Sequence, residues 1–352
     1  MRRTLALTLL ILVARLSAVP PLSDPVAGAA PPSLHLTTPA LYLLLAPLFS
    51  TWDGISMLSM SRLKGFLIGL TVLYLLWRCY RILTGRRLFL LRELQAVAVS
   101  LVLLGAFIVV GALWHRPMLS LAGTKPGDIV VDFHSHTNAS HDVADTWMRG
   151  FDAEANRRWH ARAGFDAVFI TDHNVPSRES RVASREEPVL CPGIEVSAWR
   201  AHIVLLGDTL PVDRSRYNGS LDELLQLIRT SKFAYNAVSV ASLPEYRRSH
   251  WTRLDTLLAS GLDGFEIVNA SPKANELTRR ERNWVIALAR THDRFVIGVS
   301  DSHGWGATSM VWNLVRAPSS PVPVPVCEQV LRQLRQGFSA VRVIERHRLR
   351  TE

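Results

Sequence analysis

The sequence DFHSHT at residues 132–137 follows the apolar run IVV at 129–131, and this stretch decides the fold. Because side chains alternate between the two faces of a strand, His134 and His136 point in the same direction. Two imidazoles that converge on one point form half of a transition-metal site. Asp132 lies two positions before His134 and can accept its second ring N–H. The alternative is a solvated strand face, and the rest of the chain decides between the two.

Residues 125–350 alternate between short apolar stretches and polar, helix-like stretches. This alternation predicts an α/β domain with a mostly parallel sheet. Seven strands within about 180 residues fit a closed or nearly closed barrel, and a doubly wound open sheet is the alternative. The predicted strands are 128–136, 167–173, 190–196, 201–207, 233–240, 264–269 and 295–300, the predicted helices are 153–163, 221–231, 253–259 and 274–292, and a last helix at 327–337 precedes a last strand at 340–344.

Side chains able to bind metal stand where several of these strands end. The second strand ends in FITDHN at 169–174, the third in PGIEVS at 192–197, and the seventh in GVSDSHG at 298–304. In parallel α/β barrels the carboxyl ends of all strands meet on one face, and that face carries the chemistry. One such residue could be an ordinary buried histidine, but a set from separate strands favours a metal site. The residues expected to converge are His134, His136, His173, Glu195, Asp301 and His303, with His202 close by at the start of the fourth strand.

These motifs, in this order, resemble those of the polymerase and histidinol phosphatase (PHP) family of metal-dependent phosphoesterases. The matching pieces are DFHSHT, ITDH, PGIEV, HIVLLG and SDSH, and they lie within residues 128–304. The resemblance implies a distorted (β/α)7 barrel with two or three divalent metal ions (zinc, manganese or iron) at the strand carboxyl ends. It implies that the first ion is bound by His134, His136, Glu195 and Asp301, the second by Glu195 and His202, and the third by His173 and His303.

Two departures from the family pattern leave ligands open. The family places an Asp or a His shortly after the HxH pair, and here His141 and Asp142 are both candidates, with His141 slightly favoured by spacing. On the fifth strand the family often has His-Pro, whereas this chain has Asn236, a neutral oxygen donor that is a poorer ligand for zinc-like ions. The second ion would then be weakly held, or would take a ligand from elsewhere, such as Asn269. The number of ions is therefore open.

The predicted chemistry is hydrolysis by a metal-bound hydroxide. Two ions about 4 Å apart can share a hydroxide, because each lowers the pKa of bound water toward neutrality. Asp301 and His303 are the candidate catalytic residues, and either His303 or a metal-bound water would protonate the leaving oxygen. Asp132 and Asp172 are expected to orient the ligand histidines.

Three further residues are candidates for binding the substrate. Arg247 follows the fifth predicted strand, Lys273 follows the sixth, and Asn236 lies on the fifth. A guanidinium fork suits a phosphate group. A solvated surface position is the commoner place for an arginine, so this alternative stays open for Arg247.

The N-terminal third of the chain differs in character from the rest. Residues 1–120 hold 11 of the 40 basic residues but only 3 of the 30 acidic ones, so the remainder of the chain is close to neutral. We predict a membrane anchor over 1–120 and a PHP-like hydrolase domain over 125–350. The apolar runs predict spans near 4–20, 63–80 and 94–114, with a further candidate segment at 40–60.

The arginines between the last two apolar runs predict the orientation of the chain. Residues 78–93 carry five arginines, and the positive-inside rule places this short loop in the cytoplasm. The hydrolase domain would then lie on the non-cytoplasmic side of an inner or cytoplasmic membrane. No nucleic-acid partner is expected, because the soluble part has no basic stripe. The cysteines Cys79, Cys191 and Cys327 form no CxxC pair and predict no disulfide framework.

The sequence therefore predicts a membrane-anchored phosphoesterase that acts on a phosphomonoester or a small phosphorylated metabolite. An amidohydrolase-like C–N hydrolase is one alternative, because histidine-rich barrel sites serve both reactions. A lysine at a strand carboxyl end would favour it, and none is seen there. A non-catalytic sensory domain that binds metal or ligand is the other alternative, which Asn236 keeps open. The expected partners are the small phosphorylated substrate and the membrane.

Overall fold

The computed structural model describes residues 21–29, 31–56, 60–85, 89–146, 148–177, 188–207, 219–245, 248–272, 274–304, 307–317 and 324–346. The predicted span near 4–20 and the candidate substrate-binding residues Arg247 and Lys273 lie outside these ranges. From residue 128 onward, the described chain alternates between strands and helices, as the sequence predicts.

Within the described ranges the chain forms twelve strands and ten α-helices. The strands are β1 Leu22–Ser23, β2 His35–Thr37, β3 Ser120–Ala122, β4 Asp128–Ser135, β5 Ala167–Ile170, β6 Val189–Ala198, β7 Ala201–Leu206, β8 Val238–Ala241, β9 Gly264–Asn269, β10 Phe295–Val299, β11 Val311–Arg316 and β12 Val341–Arg346. The α-helices are α1 Ala40–Leu44, α2 Ala46–Ser56, α3 Met60–Leu83, α4 Leu90–Leu113, α5 His141–Ala144, α6 Ala153–Ala163, α7 Leu221–Tyr235, α8 Leu254–Ala259, α9 Arg279–Thr291 and α10 Val326–Leu334.

Ten of these strands form one sheet, in the order β1-β12-β11-β4-β5-β6-β7-β8-β9-β10. The sheet is curled, because the segment after β10 returns to β4, where the Asp301 amide donates to the His134 carbonyl at 2.9 Å. Neighbours among β4, β5 and β6 and among β8, β9 and β10 are parallel, but β7 is antiparallel to β6 and to β8. A two-residue connection joins β6 to β7, and only an antiparallel pair can be joined so tightly. The fold is therefore mixed α/β with a curled sheet, and the regular parallel order expected of a (β/α)7 barrel is broken at β7.

The largest difference from the predicted elements lies at 233–240, which was predicted to be one strand. There α7 continues to Tyr235, and the strand begins only with β8. Ser220 and Glu223 form a reciprocal capping box that fixes the start of this helix. Asn236 ends it in the left-handed conformation, with φ 53°, which asparagine tolerates better than most residues. The strand β11 was not predicted either.

The burial of β4 and β5 shows the alternation on which the metal-site prediction depends. Val131, Phe133 and Phe169 pack into one hydrophobic cluster, whereas Val130 and Val168 pack into another, on the opposite face. The register of β4 shifts between Asp132 and Ser135, so that Ser135 faces α6, where the Asn156 amide donates to its hydroxyl at 2.7 Å, and His134 and His136 point to the opposite face. The two imidazoles therefore emerge on one side of the sheet, as strand geometry requires.

The N-terminal segment, residues 21–29 and 31–56, packs against the rest of the described chain. β1 pairs with β12, and β2 pairs with β3. Asp53 of α2 binds Arg116, which follows α4, at 3.3 Å and Arg346, which ends β12, at 3.2 Å. The helices α1 and α2 contain five and eleven residues, which is too few for a bilayer that needs about 20. The candidate segment 40–60 therefore begins as short packed helices rather than as a span.

Two helices of the described chain are long and apolar enough to cross a membrane. They cover Leu63–Leu83 in α3 and Leu90–Gly111 in α4, close to the predicted spans near 63–80 and 94–114. Most of their large apolar side chains are exposed. Length and composition therefore make these two helices candidate spans.

Cys191 of β6 and Cys327 of α10 form a disulfide across 136 residues of sequence. This pair was not predicted, because the spacing of two distant cysteines does not reveal that the fold brings them together. Cys79 of α3 is unpaired and exposed.

Candidate metal centre

The ligand side chains predicted from separate strands converge at one edge of the sheet. His134 lies near the end of β4, and His136 is the first residue after that strand. Glu195 lies near the end of β6, and His202 lies near the start of β7. Asp301 follows β10 in the left-handed conformation, with φ 46°. This unusual backbone conformation turns the chain sharply after the strand and brings the Asp301 carboxylate back toward β4.

Four buried residues, His134, His136, Glu195 and Asp301, form what we call the inner group. The Nε2 atoms of His134 and His136 lie 3.0 Å apart. His136 Nε2 lies 3.0 Å from Asp301 Oδ1, and His134 Nε2 lies 3.2 Å from Glu195 Oε2. Each of these side chains is at most 2% exposed. The inner group therefore concentrates two imidazoles and two carboxylates around one small volume.

Three residues nearer to solvent, Asp142, His173 and His303, form what we call the outer group. Asp142 Oδ2 lies 2.5 Å from His303 Nε2 and 3.6 Å from His173 Nε2. The ring of His136 lies beside this group, with its centroid 4.3 Å from that of His303. The side chains of the outer group are 10–19% exposed, so this side of the centre is the side nearer to solvent.

Glu195 joins the inner group to the outer group and to His202. Its Oε2 atom lies 3.1 Å from His173 Nδ1, and its Oε1 atom lies 2.8 Å from His202 Nδ1. The two oxygens of one carboxylate therefore face different sets of imidazoles. This arrangement suits a carboxylate that bridges two ions.

The donor atoms fit divalent transition-metal ions. Both oxygens of Glu195 and Oδ1 of Asp301 are buried without a hydrogen-bond partner, although imidazole nitrogens stand close to them. Ligands about 2.1 Å from one ion stand about 3.0–3.4 Å from one another, and the inner group shows separations of 3.0–3.6 Å. A mixed set of imidazoles and carboxylates suits zinc, manganese or iron. Buried lone pairs without partners are what an ion would satisfy.

The charges within the centre displace the pKa values of its members. Burial alone would raise the pKa values of Glu195 and Asp301, but the surrounding imidazoles outweigh it and hold both below their usual range. Burial, with the neighbouring His303, lowers the pKa of His136 to about 4. Burial would lower the pKa of His303 too, but Asp301 and Asp142 raise it to about 9. The carboxylates are therefore ionised at neutral pH, as cation binding requires.

Of the two candidates His141 and Asp142, the structure places Asp142 beside the other candidate ligands. Its carboxylate lies against His173 and His303, whereas His141 is exposed and only its ring approaches that of His173, at a centroid distance of 5.3 Å. Spacing had slightly favoured His141. Both residues belong to the single-turn helix α5, and the direction of a side chain on such a turn cannot be obtained from spacing.

Asp132 and Asp172, the two aspartates that were expected to orient ligand rings, make the following contacts. Asp132 accepts hydrogen bonds from the Ser300 amide at 3.2 Å, from the Ser300 hydroxyl, and from His160 Nε2 at 2.9 Å. Asp172 accepts from the amide and the hydroxyl of Thr137 at 2.6 and 2.8 Å. These contacts fix the backbone that carries the ligands: Asp132 ties β4 to the residue before Asp301, and Asp172 ties the second strand end to the first.

The ring of His134 is oriented by Glu266, which sequence reasoning did not single out. Glu266 lies in the middle of the buried strand β9, and its Oε1 atom stands 2.7 Å from His134 Nδ1. Its other oxygen accepts from the Ser242 hydroxyl at 2.6 Å. The signal in the sequence was a single carboxylate within the apolar run GFEIV, because buried charges are rare unless they are paired.

We expect Glu266→Gln to weaken metal binding by roughly 10- to 100-fold, as loss of a group that orients a ligand histidine does elsewhere. The amide keeps the shape of the side chain but removes the negative charge that makes His134 a stronger ligand. Metal titration of the full chain measures the affinity, with Glu328→Gln on the exposed face of α10 as the control. Equal affinities for the two variants would contradict this role.

Asn236 is not brought to the centre. It is an exposed residue at the end of α7, on the amino side of β8. The residue at the carboxyl end of that strand is Ser242, whose amide donates to the His202 carbonyl at 3.2 Å. Asn269, the other candidate, donates to Asp301 Oδ2 at 3.3 Å. The shift follows from the boundary of β8, which begins later than predicted.

The fold and the centre together define an α/β protein with a candidate multinuclear metal site. No protein-family model matches the chain, and no curated protein matches it. Among solved structures, a candidate metal-dependent phosphoesterase from Bifidobacterium adolescentis shares 17% identity over 50% of this chain and 88% of its own, with a TM-score of 0.38. PsfC from Pseudomonas syringae shares 16% over 58% and 88%, with a TM-score of 0.36. An amidohydrolase from Chromobacterium violaceum, solved with sulfate and no metal, shares 16% over 49% and 87%, with a TM-score of 0.32. We infer no activity from similarities of this size.

Proposed function

We propose that the chain is a membrane-anchored, metal-dependent phosphoesterase that hydrolyses a phosphomonoester or a small phosphorylated metabolite. The observation that carries the proposal is Glu195, whose two oxygens face imidazoles from three different strand ends. Divalent ions held there would supply an activated water and would neutralise charge on the phosphate. The inner group would hold one ion, the outer group another, and Glu195 with His202 a third position.

The hydrogen bonds of His303 support a role as a ligand rather than as a proton donor. Its Nδ1 atom lies 2.9 Å from the Asp301 carbonyl, an acceptor, so Nδ1 carries the proton. Without an ion the ring is protonated at neutral pH, because its pKa is about 9. An ion bound at Nε2, the atom that faces Asp142, would replace the proton there. No N–H of this ring is left for the leaving oxygen when Nε2 binds an ion.

Nearby hydroxyl and thiol groups are already engaged, which supports direct attack by water. The Ser300 hydroxyl donates to Asp132, and the Ser242 hydroxyl donates to Glu266. Cys191 is part of the disulfide. None of these three residues is therefore a ready nucleophile, and the proposal needs no covalent intermediate.

The C–N hydrolase alternative has less support. A carbamate bridge would need a lysine at a strand carboxyl end. The lysines that lie in the described ranges are Lys64, Lys125 and Lys232, on α3, before β4 and on α7. None of them stands at a strand carboxyl end.

The test is metal analysis of the purified full chain in detergent, together with hydrolysis of a phosphomonoester and of a matched carboxamide. We expect bound divalent metal, turnover of the phosphomonoester only, loss of turnover with a chelator, and recovery when zinc or manganese is returned. Metal-free protein, or turnover that survives chelation, would refute the proposal. Turnover of the carboxamide alone would favour the C–N hydrolase.

We also propose that α3 and α4 cross the cytoplasmic membrane as a hairpin, with the hydrolase domain on the non-cytoplasmic side. Three observations support this. Asp53 binds both Arg116 and Arg346, so the segment before the hairpin and the domain after it lie on one side. The arginine-rich stretch 78–93, which covers the end of α3, the connection and the start of α4, favours the cytoplasm. The Cys191–Cys327 disulfide is expected in an oxidising compartment.

Cysteine labelling tests this topology in intact spheroplasts. In a Cys79→Ala background, we expect a membrane-impermeant maleimide to label Arg229→Cys on the exposed face of α7 and to leave Thr84→Cys unlabelled until the membrane is opened. Both positions are exposed, so the membrane alone decides the difference. The reverse pattern would place the domain in the cytoplasm.

A further inference from the structure

The hairpin that carries Glu195 and His202 ends in a strained turn. Trp199 and Arg200 connect β6 to β7. They lie between Ala198 and Ala201, which form the last residue pair of the two strands. Both turn residues have positive φ, 49° and 56°, which is the geometry of a type I′ turn. Asn-Gly and related pairs normally fill such turns, because bulky side chains are strained in the left-handed region. Strain of this kind persists where the surroundings hold it, often at ligand clamps.

The position of this turn relates it to the metal centre. Glu195 and His202 have side chains on one face of the hairpin, because His202 pairs with Ser197, two residues after Glu195. At about 3.3 Å per residue, the turn extends about 7 Å beyond His202, on the edge where the ligands converge. Arg200 lies two residues before His202 in the chain, so its long side chain is within reach of this edge.

The two turn residues have different surroundings. The ring of Trp199 is partly buried against the main hydrophobic cluster and holds the turn in place. Arg200 is exposed, and its guanidinium has no hydrogen bond or ion pair with any residue that the structure describes. The fold therefore maintains a strained turn whose second residue presents an unpaired cation at the edge of the metal centre.

We propose that Arg200 binds the phosphate group of the substrate and helps to set specificity for phosphorylated molecules. This inference rests on the proposed function. A guanidinium can donate two parallel hydrogen bonds to a phosphate, which metal ions on the other side would hold as well. Arg200 makes this contact in the ground state and the transition state alike, so it contributes to binding more than to the chemical step. A glycine here would relieve the strain but would lose the contact.

Arg200→Gly separates the effect of Arg200 on the turn from its effect on phosphate binding. The substitution should stabilise the turn, because it relieves the strain, but should weaken the binding of phosphate. With the full chain in detergent and para-nitrophenyl phosphate as substrate, we expect KM and the inhibition constant of inorganic phosphate to rise roughly 10- to 100-fold, the loss expected for a charge-assisted hydrogen bond. The change in kcat should be about twofold or less. The melting temperature should rise by roughly 1–3 °C as the strain is relieved. Arg200→Lys should be intermediate in KM, and Arg229→Ala on the outer helix α7 should match the unsubstituted chain.

A higher melting temperature with unchanged KM and phosphate inhibition would show that Arg200 only forms the turn, and would overturn the inference. A failure of the proposed function looks different, since the unsubstituted chain would then hydrolyse no phosphomonoester. In that case calorimetric binding of inorganic phosphate to the metal-loaded chain still decides the matter. Weaker binding by Arg200→Gly than by Arg229→Ala supports the anion site, and equal binding refutes it.

Discussion

Glu195→Gln is expected to abolish both the proposed phosphoesterase activity and the full metal content expected of the protein. Turnover should fall by about 1000-fold or more, the scale on which loss of one group that stabilises transition-state charge acts. Glutamine keeps the shape of the side chain, but its amide nitrogen cannot bind a metal ion. Because Glu195 Oε2 faces His134, His136 and His173 and Oε1 faces His202, one substitution removes a ligand from several positions at once.

The same variant distinguishes a bridging carboxylate from a simple ligand. His134→Ala removes a ligand of the inner group only, so we expect that variant to keep an ion in the outer group. Glu195→Gln should lose metal from both groups. Elemental analysis measures the ion-to-protein ratio, with Glu328→Gln as the control and circular dichroism as the test of folding. A folded Glu195→Gln protein with the metal content and turnover of the control would contradict the proposed centre.

The part of this centre that follows from sequence is the part that depends on local geometry. His134 and His136 share a face because strand side chains alternate, and that rule holds in any strand. The convergence of His173, Glu195 and Asp301 follows from one more rule, that parallel strands end at the same edge. The first prediction concerns the direction of side chains on one strand, and the second concerns where the strands end. The structure brings the five residues together at one edge of the sheet.

The partner of each ligand ring depended on contacts that no local rule contains. Asp132 stands in the right position to reach the ring of His134, but its carboxylate is occupied by Ser300 and His160. Glu266 reaches that ring across 132 residues of sequence. Its proximity depends on how strongly the sheet curls, which is a property of the whole sheet. The predicted start of β8 was wrong for a related reason. The cap at Ser220 and the packing of α7 outweighed the strand preference of the residues before Asn236.

The double variant Cys191→Ala/Cys327→Ala is expected to lower the free energy of unfolding of the α/β domain by about 2–5 kcal/mol. The disulfide closes a loop of 136 residues, and in the chain-entropy account a loop longer than 100 residues places the effect toward roughly 5 kcal/mol. The melting temperature of the domain should fall by roughly 5–15 °C. Alanine suits both positions, because Cys191 is fully buried among apolar side chains and a hydroxyl there would lack a partner.

Cys79→Ala is the matched control, because Cys79 lies in α3 and is unpaired, so its melting temperature should match that of the unsubstituted chain. A reductant should lower the melting temperature of the unsubstituted chain toward that of the double variant and leave the double variant unchanged. A domain that melts at the same temperature with and without the pair would show that the fold does not depend on this link. The disulfide would then lose its value as evidence for an oxidising compartment. Because Cys191 and Glu195 lie on the same strand, the double variant should also bind metal more weakly, which connects the stability of the domain to the centre that β6 carries.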